Sequence, residues 1–236
     1  MQAITYHRYG GPDVLELEEV EQPVPGDGEV LVRVQAASVN PRDWHFLRGL
    51  PYVLRPVGLR RPRDGGLGSD VAGRVEAVGR AVTRFRPGDE VYAHVHKGAF
   101  AENTCIPEHV LGPKPANLGF EQAAAVPLAA LTALQGLCDH YTREDFAGNG
   151  RRYDLVFQLA GTRSPAGCRR ALTPGGQLLL SSGEGANRWI GPLGRMLEAV
   201  VLSPFVSQRL GAFEARPSGD DLRALCELIE AGSSPR

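Results

Sequence analysis

The sequence predicts an α/β fold with a β-rich N-terminal part: a partly open β-barrel over residues 1–120, then a reduced doubly wound strand–helix remnant over 121–236. Three observations predict it. Short segments with period-2 alternation, separated by Gly/Pro turns, fill the first hundred residues. The character of the chain changes near Phe120, and beyond it strands and helices alternate in the rhythm of a parallel sheet.

In chain order, Gln2–His7 and Val14–Val20 read as an opening hairpin with its turn at Gly10-Gly11-Pro12. Val30, Val32 and Val34 alternate with Leu31, Arg33 and Gln35, the pattern of a half-buried strand. One helical turn follows, with Asn40 as N-cap, Pro41 at the first helical position and Asp43 complementing the dipole. Asp70–Gly79 and Asp89–Val95 are further strands around the Arg86-Pro87-Gly88-Asp89 turn, and Phe100–Ile106 is another. Repeated short strands of this kind suit a small barrel. Glu121–Asp139 is a helix candidate, with Ala124, Leu128, Leu131, Leu134 and Leu137 near helical spacing. Tyr153–Ala160 and Gln177–Ser182 are apolar runs of the type found in buried parallel strands. Between them lies a short helix, capped by Ser164, with Pro165 in its first turn, ending at the Thr173-Pro174-Gly175-Gly176 turn. Gly191–Leu202 reads as helical, and Ser218–Ala231 as a helix with Ser218 and Asp221 in capping-box spacing and Gly232 beyond its end. The second half thus supplies two strands.

Composition narrows the function. With 29 Gly, 18 Pro and 42% hydrophobic residues the chain is globular rather than a helical bundle. A net charge of −1 gives no general attraction to nucleic acid or anionic lipid. The basic clusters at Arg60, Arg61, Arg63 and at Arg151, Arg152 are short enough for solvated loops. The start lacks the apolar core of a signal peptide, and the apolar stretch Ala123–Leu134 is interrupted by Pro127, so a cytoplasmic protein without a membrane span is expected. Cys105, Cys138, Cys168 and Cys226 form no C-x-x-C pair and read as free thiols.

Catalytic motifs are sparse. The six histidines His7, His45, His94, His96, His109 and His140 form no H-E-x-x-H, and His94 and His96 read as surface or core residues on one strand face. No G-x-S-x-G elbow occurs. A dinucleotide site normally shows G-x-G-x-x-G after its first strand, where bare backbone lets the pyrophosphate approach a helix N-terminus. Gly65-Gly66-Leu67-Gly68 precedes a strand and is a turn; Gly183-Glu184-Gly185 follows one, but Arg188 stands in the third glycine's place. The motif is absent.

The order of segments nonetheless resembles a known family. Ser38-Val39-Asn40-Pro41-Arg42-Asp43-Trp44 is similar to an S-V-N-P-x-D signature, and Gly68-Ser69-Asp70-Val71-Ala72-Gly73 with Val75 and Val78-Gly79 to G-x-D-x-A-G-x-V-x-x-V-G. Arg86-Pro87-Gly88-Asp89-Glu90-Val91, Gly98-Ala99-Phe100-Ala101-Glu102, Ala123-Ala124-Ala125-Val126-Pro127 and Leu131-Thr132-Ala133 continue the match in order. Together they resemble the zinc-free, quinone-oxidoreductase-like branch of the medium-chain dehydrogenase/reductase superfamily. The resemblance implies a GroES-like substrate and catalytic domain at 1–120 and a Rossmann-like nucleotide-binding domain at 121–236. Zinc-dependent relatives carry a Cys and a G-H-E where this chain has Asn40-Pro41-Arg42-Asp43 and Gly68-Ser69-Asp70, so no metal is expected. Cys138-Asp139-His140 abuts Tyr141-Thr142-Arg143-Glu144-Asp145-Phe146 directly, which by the family pattern omits about two strand–helix steps, on the order of 60 residues. The Rossmann-like domain is therefore expected to be incomplete, and the C-terminus shortened by a further strand, helix and final strand.

By the same resemblance the chain is an oxidoreductase passing hydride from NADPH to a quinone or enone substrate without zinc, with cofactor binding impaired by the missing loop. Asn40 should lie near nicotinamide and substrate, Thr132 at the nicotinamide end, Ala160-Gly161 and Ser182-Gly183 along the cofactor path, and Tyr141 near the adenosine 2′-phosphate. Tyr52, with Trp44, is a candidate for the substrate pocket. Each also has a plainer role: Asn40 as a cap, Thr132 as a polar group inside a helix, Tyr52 and Trp44 as core. Exposing the apolar strands of a reduced domain costs about 1.5–3 kcal/mol per large side chain. The remnant is therefore expected to be marginal alone or to pair its open edge in a homo-oligomer. A non-catalytic paralogue acting as a binding or assembly subunit is the competing expectation.

Overall fold

The computed structural model describes residues 1–50, 52, 55, 61–62, 65–138, 152–158, 165–180 and 193–232. These divide into two compact units: Met1–Gly49, Arg55–Leu131 and Arg216–Arg236 form the first, Leu50–Leu54 and Thr132–Ala215 the second. The division differs from a single boundary at residue 120, because the chain returns to the first unit at its C-terminal end.

The first unit opens with β1 (Gln2–Thr5) and β2 (Glu16–Glu19), an antiparallel hairpin as the sequence implies. The main sheet is five-stranded and antiparallel. It comprises β3 (Glu29–Ser38), β4 (Asp70–Val78), β5 (Glu90–His94), β6 (Asn103–Pro107) and β7 (Leu111–Pro113), in the order β6-β3-β4-β5-β7. Register shifts interrupt the β3–β4 ladder at Leu31/Val32 and Val34/Ala36, the irregularities that bend and twist a sheet. Val30, Val32, Val71, Val75, Val91, Ala93, Ile106 and Leu111, drawn from all five strands, share one buried core. The alternating valines of β3 thus point inward as their spacing predicts. The expected strand at Phe100–Ile106 begins later, at Asn103; Ala101 makes only an isolated bridge to Ala3.

Helix α1 (Pro41–Arg48) joins β3 to the following segment and is longer than the single turn anticipated. It ends at Gly49, whose φ of +56° is the left-handed conformation that favours glycine. Leu47 packs with Tyr6, Val14 and Leu67 in a second, smaller cluster. The single helix expected over Glu121–Asp139 is two, α2 (Phe120–Ala124) and α3 (Pro127–Cys138). The break has a covalent cause: Pro127 has no N–H to continue α2 and its ring suits the first position of a new helix.

Helix α6 (Gly219–Glu230) completes the first unit. Ser218 caps it, its Oγ accepting from Asp221 N–H at 3.2 Å. Leu222 is fully buried against the barrel, and the buried Tyr92 hydroxyl donates to the Leu222 carbonyl at 2.6 Å. Gly219 lies against the carbonyls of Leu111 and His109, where a methyl group would collide. Further down, Glu230 accepts from Ala116 N–H at 2.7 Å, and Asn117 Nδ2 donates to the Ile229 carbonyl at 3.1 Å.

The second unit contains a three-stranded parallel sheet ordered β10-β9-β8, made by β8 (Tyr153–Gln158), β9 (Leu172–Leu180) and β10 (Arg209–Ala212). Two strands were expected; the third was missed because Arg-Leu-Gly-Ala is short and its glycine weakens a strand signal. The β8–β9 register jumps from Tyr153↔Leu172 to Leu155↔Gln177, so Thr173–Gly176 bulges within β9 rather than preceding it. Helices α4 (Pro165–Arg169) and α5 (Leu193–Leu202) accompany the sheet, and Val156, Cys168, Leu172, Leu178, Leu180, Ala199 and Leu210 form its core. Among the described residues no strand pairs with the outer edge of β8 or of β10. Leu197, Val200, Val201 and Phe205 are exposed on and just after α5. Among the described residues, no helix is long and apolar enough to cross a membrane.

Leu222→Ala is expected to lower stability by about 2–5 kcal/mol, the range for emptying a fully buried leucine site. Urea unfolding followed by tryptophan fluorescence measures it; a loss under about 1 kcal/mol would show that α6 does not support the barrel unit.

Candidate functional site

The polar centre of the first unit forms where β3, β4, β5 and the two helices α1 and α3 present their ends. Strand pairing sets it up. Ser38 pairs with Asp70 across β3–β4, and Asp70 with His94 across β4–β5, so three polar residues form one row over three strands. Asp70 and His94 are each about 1% exposed.

Donors converge on the Asp70 carboxylate. His94 Nδ1 lies 2.9 Å from Oδ1. Asn40 Nδ2 donates to Oδ2 at 3.2 Å, and the Ser38 hydroxyl does so at 3.4 Å. The backbone N–H of Leu128, in the first turn of α3, reaches both oxygens at 3.2 and 3.1 Å. That N–H is one of the groups a helix leaves unpaired at its start, and the helix dipole favours an anion there. A carboxylate oxygen accepts, so this contact is a hydrogen bond in the His94 tautomer that carries its proton on Nδ1.

A second buried carboxylate, Asp43, ties α1 to β4. Its Oδ1 accepts from Ser69 Oγ at 2.7 Å and Gly68 N–H at 3.2 Å, and its Oδ2 from Asn40 N–H at 2.8 Å. Asp43 therefore caps α1 by reaching back to Asn40. The Asn40 side chain does something else. Its Nδ2 donates to Ser38 Oγ, 3.2 Å away, as well as to Asp70. Asn40 occupies the N-cap position as expected, in a capping box with Asp43, while its amide nitrogen turns toward the half-buried Ser38 and the buried Asp70.

Of the sequence-predicted site residues, Asn40 is thus gathered with Ser38, Asp70, Asp43 and His94 in the first unit. Thr132, partly buried in α3, and Tyr52, partly buried, fall in the second unit. Tyr141, Ala160, Gly161, Ser182 and Gly183 lie outside the described residues. Trp44 is 45% exposed, so it is not a core residue; the Arg48 guanidinium stacks over its ring at 4.3 Å. Sequence reasoning missed Ser38, Asp70 and His94 as a set. The available signal was an acid opening the apolar strand DVAGRVEAV, since a buried carboxylate needs a partner. His94 and His96 do not share a role: His94 is buried in β5, whereas His96 is exposed beyond it, 3.2 Å from Arg42.

Other reactive groups are muted. Burial, then the neighbouring Glu29 and Glu230 charges, push the Cys105 and Cys226 thiols up to about 11, so neither is a ready nucleophile. His7, Glu16 and Glu18 bring three ligating atoms within 4.8 Å on the exposed hairpin. There Glu18 accepts from the Thr5 hydroxyl, and its hydrogen bond with His7 raises the imidazole's pKa.

A dinucleotide's fit can be tested against the second unit. Parallel β8 and β9 joined through α4 make the β-α-β arrangement whose C-terminal strand ends face such ligands. The sequence carries no G-x-G-x-x-G after any of its strands, the motif whose bare backbone ordinarily admits a pyrophosphate. The topology suits a nucleotide; the segments that follow β8 and β9, 159–164 and 181–192, lie outside the described residues.

A barrel of this strand order, with a polar cluster at the helix-bearing strand ends, defines the catalytic-domain class of alcohol-dehydrogenase-like proteins. Residues 26–135 match the alcohol dehydrogenase GroES-like domain. The chain is 39% identical over 164 residues to a chloroplastic quinone-oxidoreductase homologue of Spinacia oleracea, covering 68% of this chain and 48% of that protein. It is 38% identical over 177 residues to a quinone oxidoreductase of Pseudomonas aeruginosa, covering 75% and 51%. It is also 38% identical over 183 residues to the chloroplastic NADPH-dependent alkenal/one oxidoreductase of Arabidopsis thaliana, covering 68% and 44%. The fold is like that of Escherichia coli quinone oxidoreductase solved with NADPH, at a TM-score of 0.71 and 21% identity over 98% of this chain and 89% of that one. This chain belongs to the medium-chain dehydrogenase/reductase superfamily, in its quinone-oxidoreductase-like branch. It spans about half the length of the curated relatives it matches.

Asp43→Ala is expected to destabilise the protein by about 2–6 kcal/mol, because the buried Gly68 N–H and Ser69 hydroxyl lose their acceptor at about 1–3 kcal/mol each. Denaturant unfolding checks it, and a neutral result would mean that these donors find other partners.

Proposed function

We propose that the chain is an oxidoreductase of the zinc-free type, acting in NADPH-dependent hydride reduction of a quinone or enone (alkenal/one), with its hold on NADPH impaired. The observation that carries this reading is Asn40, whose side-chain amide donates to buried Asp70 and to Ser38 and whose backbone N–H donates to buried Asp43, in a unit related to quinone and alkenal/one reductases. Under it, Asn40 and Tyr52 line the reacting region, and Thr132, Tyr141, Ala160, Gly161, Ser182 and Gly183 border the cofactor. The chain's own contribution is positional: an amide already held by its neighbours needs little reorganisation when a carbonyl substrate arrives. Residues 1–120 serve substrate and catalysis in this proposal, and 121–236 serve the nucleotide. The cytoplasm is the proposed compartment.

A second reading is favoured by a separate observation. Both edges of the three-stranded sheet lack a strand partner among the described residues, and α5 exposes four large apolar side chains with its following turn. A non-catalytic paralogue that binds or assembles through this sheet would use those surfaces. In either reading the chain forms a homo-oligomer through the open edge.

NADPH titration followed by fluorescence, with a reduction assay on a simple quinone, separates the two. Binding with turnover supports the reductase and removes the assembly subunit; no binding even at millimolar cofactor removes the reductase. Light scattering is expected to give a mass above that of one 25.4 kDa chain. A monodisperse monomer would contradict assembly through the sheet.

A further inference from the structure

Asn40 can present either end of its carboxamide, and the structure contains a reason for only one. We infer that His94, acting through Asp70, is a positioning residue that locks the Asn40 amide with its nitrogen toward Asp70 and its carbonyl oxygen turned away from it. The inference rests on the reading of Asn40 as a site residue.

The chain of contacts has a direction. His94 Nδ1 faces Asp70 Oδ1 at 2.9 Å, and both side chains are about 1% exposed. With that nitrogen as donor, Asp70 stays a pure acceptor, and its Oδ2 takes Asn40 Nδ2 at 3.2 Å. Ser38 reinforces the polarity, its hydroxyl accepting from Asn40 Nδ2 at 3.2 Å and donating to Asp70 Oδ2 at 3.4 Å. Rotating the amide by half a turn would set its oxygen against the carboxylate, acceptor to acceptor. The inward nitrogen is therefore enforced for as long as Asp70 is an anion.

His94 is what makes that anion tolerable. A buried carboxylate short of donors takes up a proton instead. A protonated Asp70 is itself a donor and would accept the Asn40 oxygen as its partner, so the amide could turn. Remaining donors are the Leu128 N–H, the Ser38 hydroxyl and Asn40 itself, of which only the first cannot reverse or leave. His94 thus governs Asn40 without touching it.

The test uses the full chain labelled with ¹⁵N. In the wild type, the His94 ring is expected to carry a proton on Nδ1; a neutral ring protonated only on Nε2 would overturn the inference, whatever the variants do. The Asn40 side-chain NH₂ pair, assigned by its loss in Asn40→Asp, is expected to shift in His94→Leu. It should return toward its original position in His94→Asn, whose Nδ2 falls near the site of Nδ1. If the cavity's volume were all that mattered, leucine would be the better replacement, and Asn40 signals unmoved by His94→Leu would end the proposal. If the wild type reduces quinone, kcat/KM is expected to fall about ten- to a hundredfold in His94→Leu, the scale of a misplaced group, and to recover in His94→Asn. Absence of wild-type turnover counts against the proposed reaction alone, because the two spectroscopic readouts still decide the role of His94.

Discussion

A carboxylate removed from water must be met by donors or give up its charge, and much of the first unit is arranged around that requirement at Asp70. Its four donors come from the end of β3, the residue before α1, the end of β5 and the first turn of α3. Displacing any one of these elements would strip a donor from a group that cannot reach solvent. The carboxylate therefore acts as a register mark: it fixes which residue of β4 stands opposite Ser38 and which opposite His94. Asp43 repeats the device one layer away, where it holds the start of α1 to Gly68 and Ser69. The valine core supplies the driving force for collapse, but apolar contacts are non-directional. The two acids supply the directions.

The C-terminal helix shows how packing overrides sequence order. Chain position would assign α6 to the second unit, following β10. Its buried Leu222 and Leu225, and the Tyr92 hydroxyl bonded to the Leu222 carbonyl, instead make it a wall of the barrel unit. The second unit is correspondingly thin. Leu178 and Leu180 are buried, yet the neighbouring helix α5 leaves Leu197, Val200 and Val201 more than half exposed.

Features governed by local chemistry were legible in the sequence. The inward valines of β3 followed from period 2, the start of α6 from Ser218 and Asp221, and the family from motifs whose order is far more restrictive than any one of them. Features governed by contacts between distant segments were not. β7 is three residues with a glycine and a proline, and it exists because β5 offers a ladder edge. Asn40 caps α1 as its residue type implies, but the use of its amide nitrogen was not readable, because its acceptors lie 2 and 30 residues away. His94 looked like an ordinary strand histidine until its partner on β4 was known. Pro127 did carry a readable signal, and the missing N–H makes the helix break there a local effect.

The buried polar cluster and the absent glycine motif pull the functional reading in opposite directions, and their energetics differ in kind. Burying two carboxylates is a poor route to stability, since well-packed apolar residues at such positions are often as stable or more so. Under the proposed function the cluster would present one amide in one orientation. The glycine motif is a different matter, because a dinucleotide's affinity depends heavily on bare amides aimed at its phosphates. The order of the barrel-side centre rests on contacts within the first unit and so does not depend on how tightly a cofactor is held.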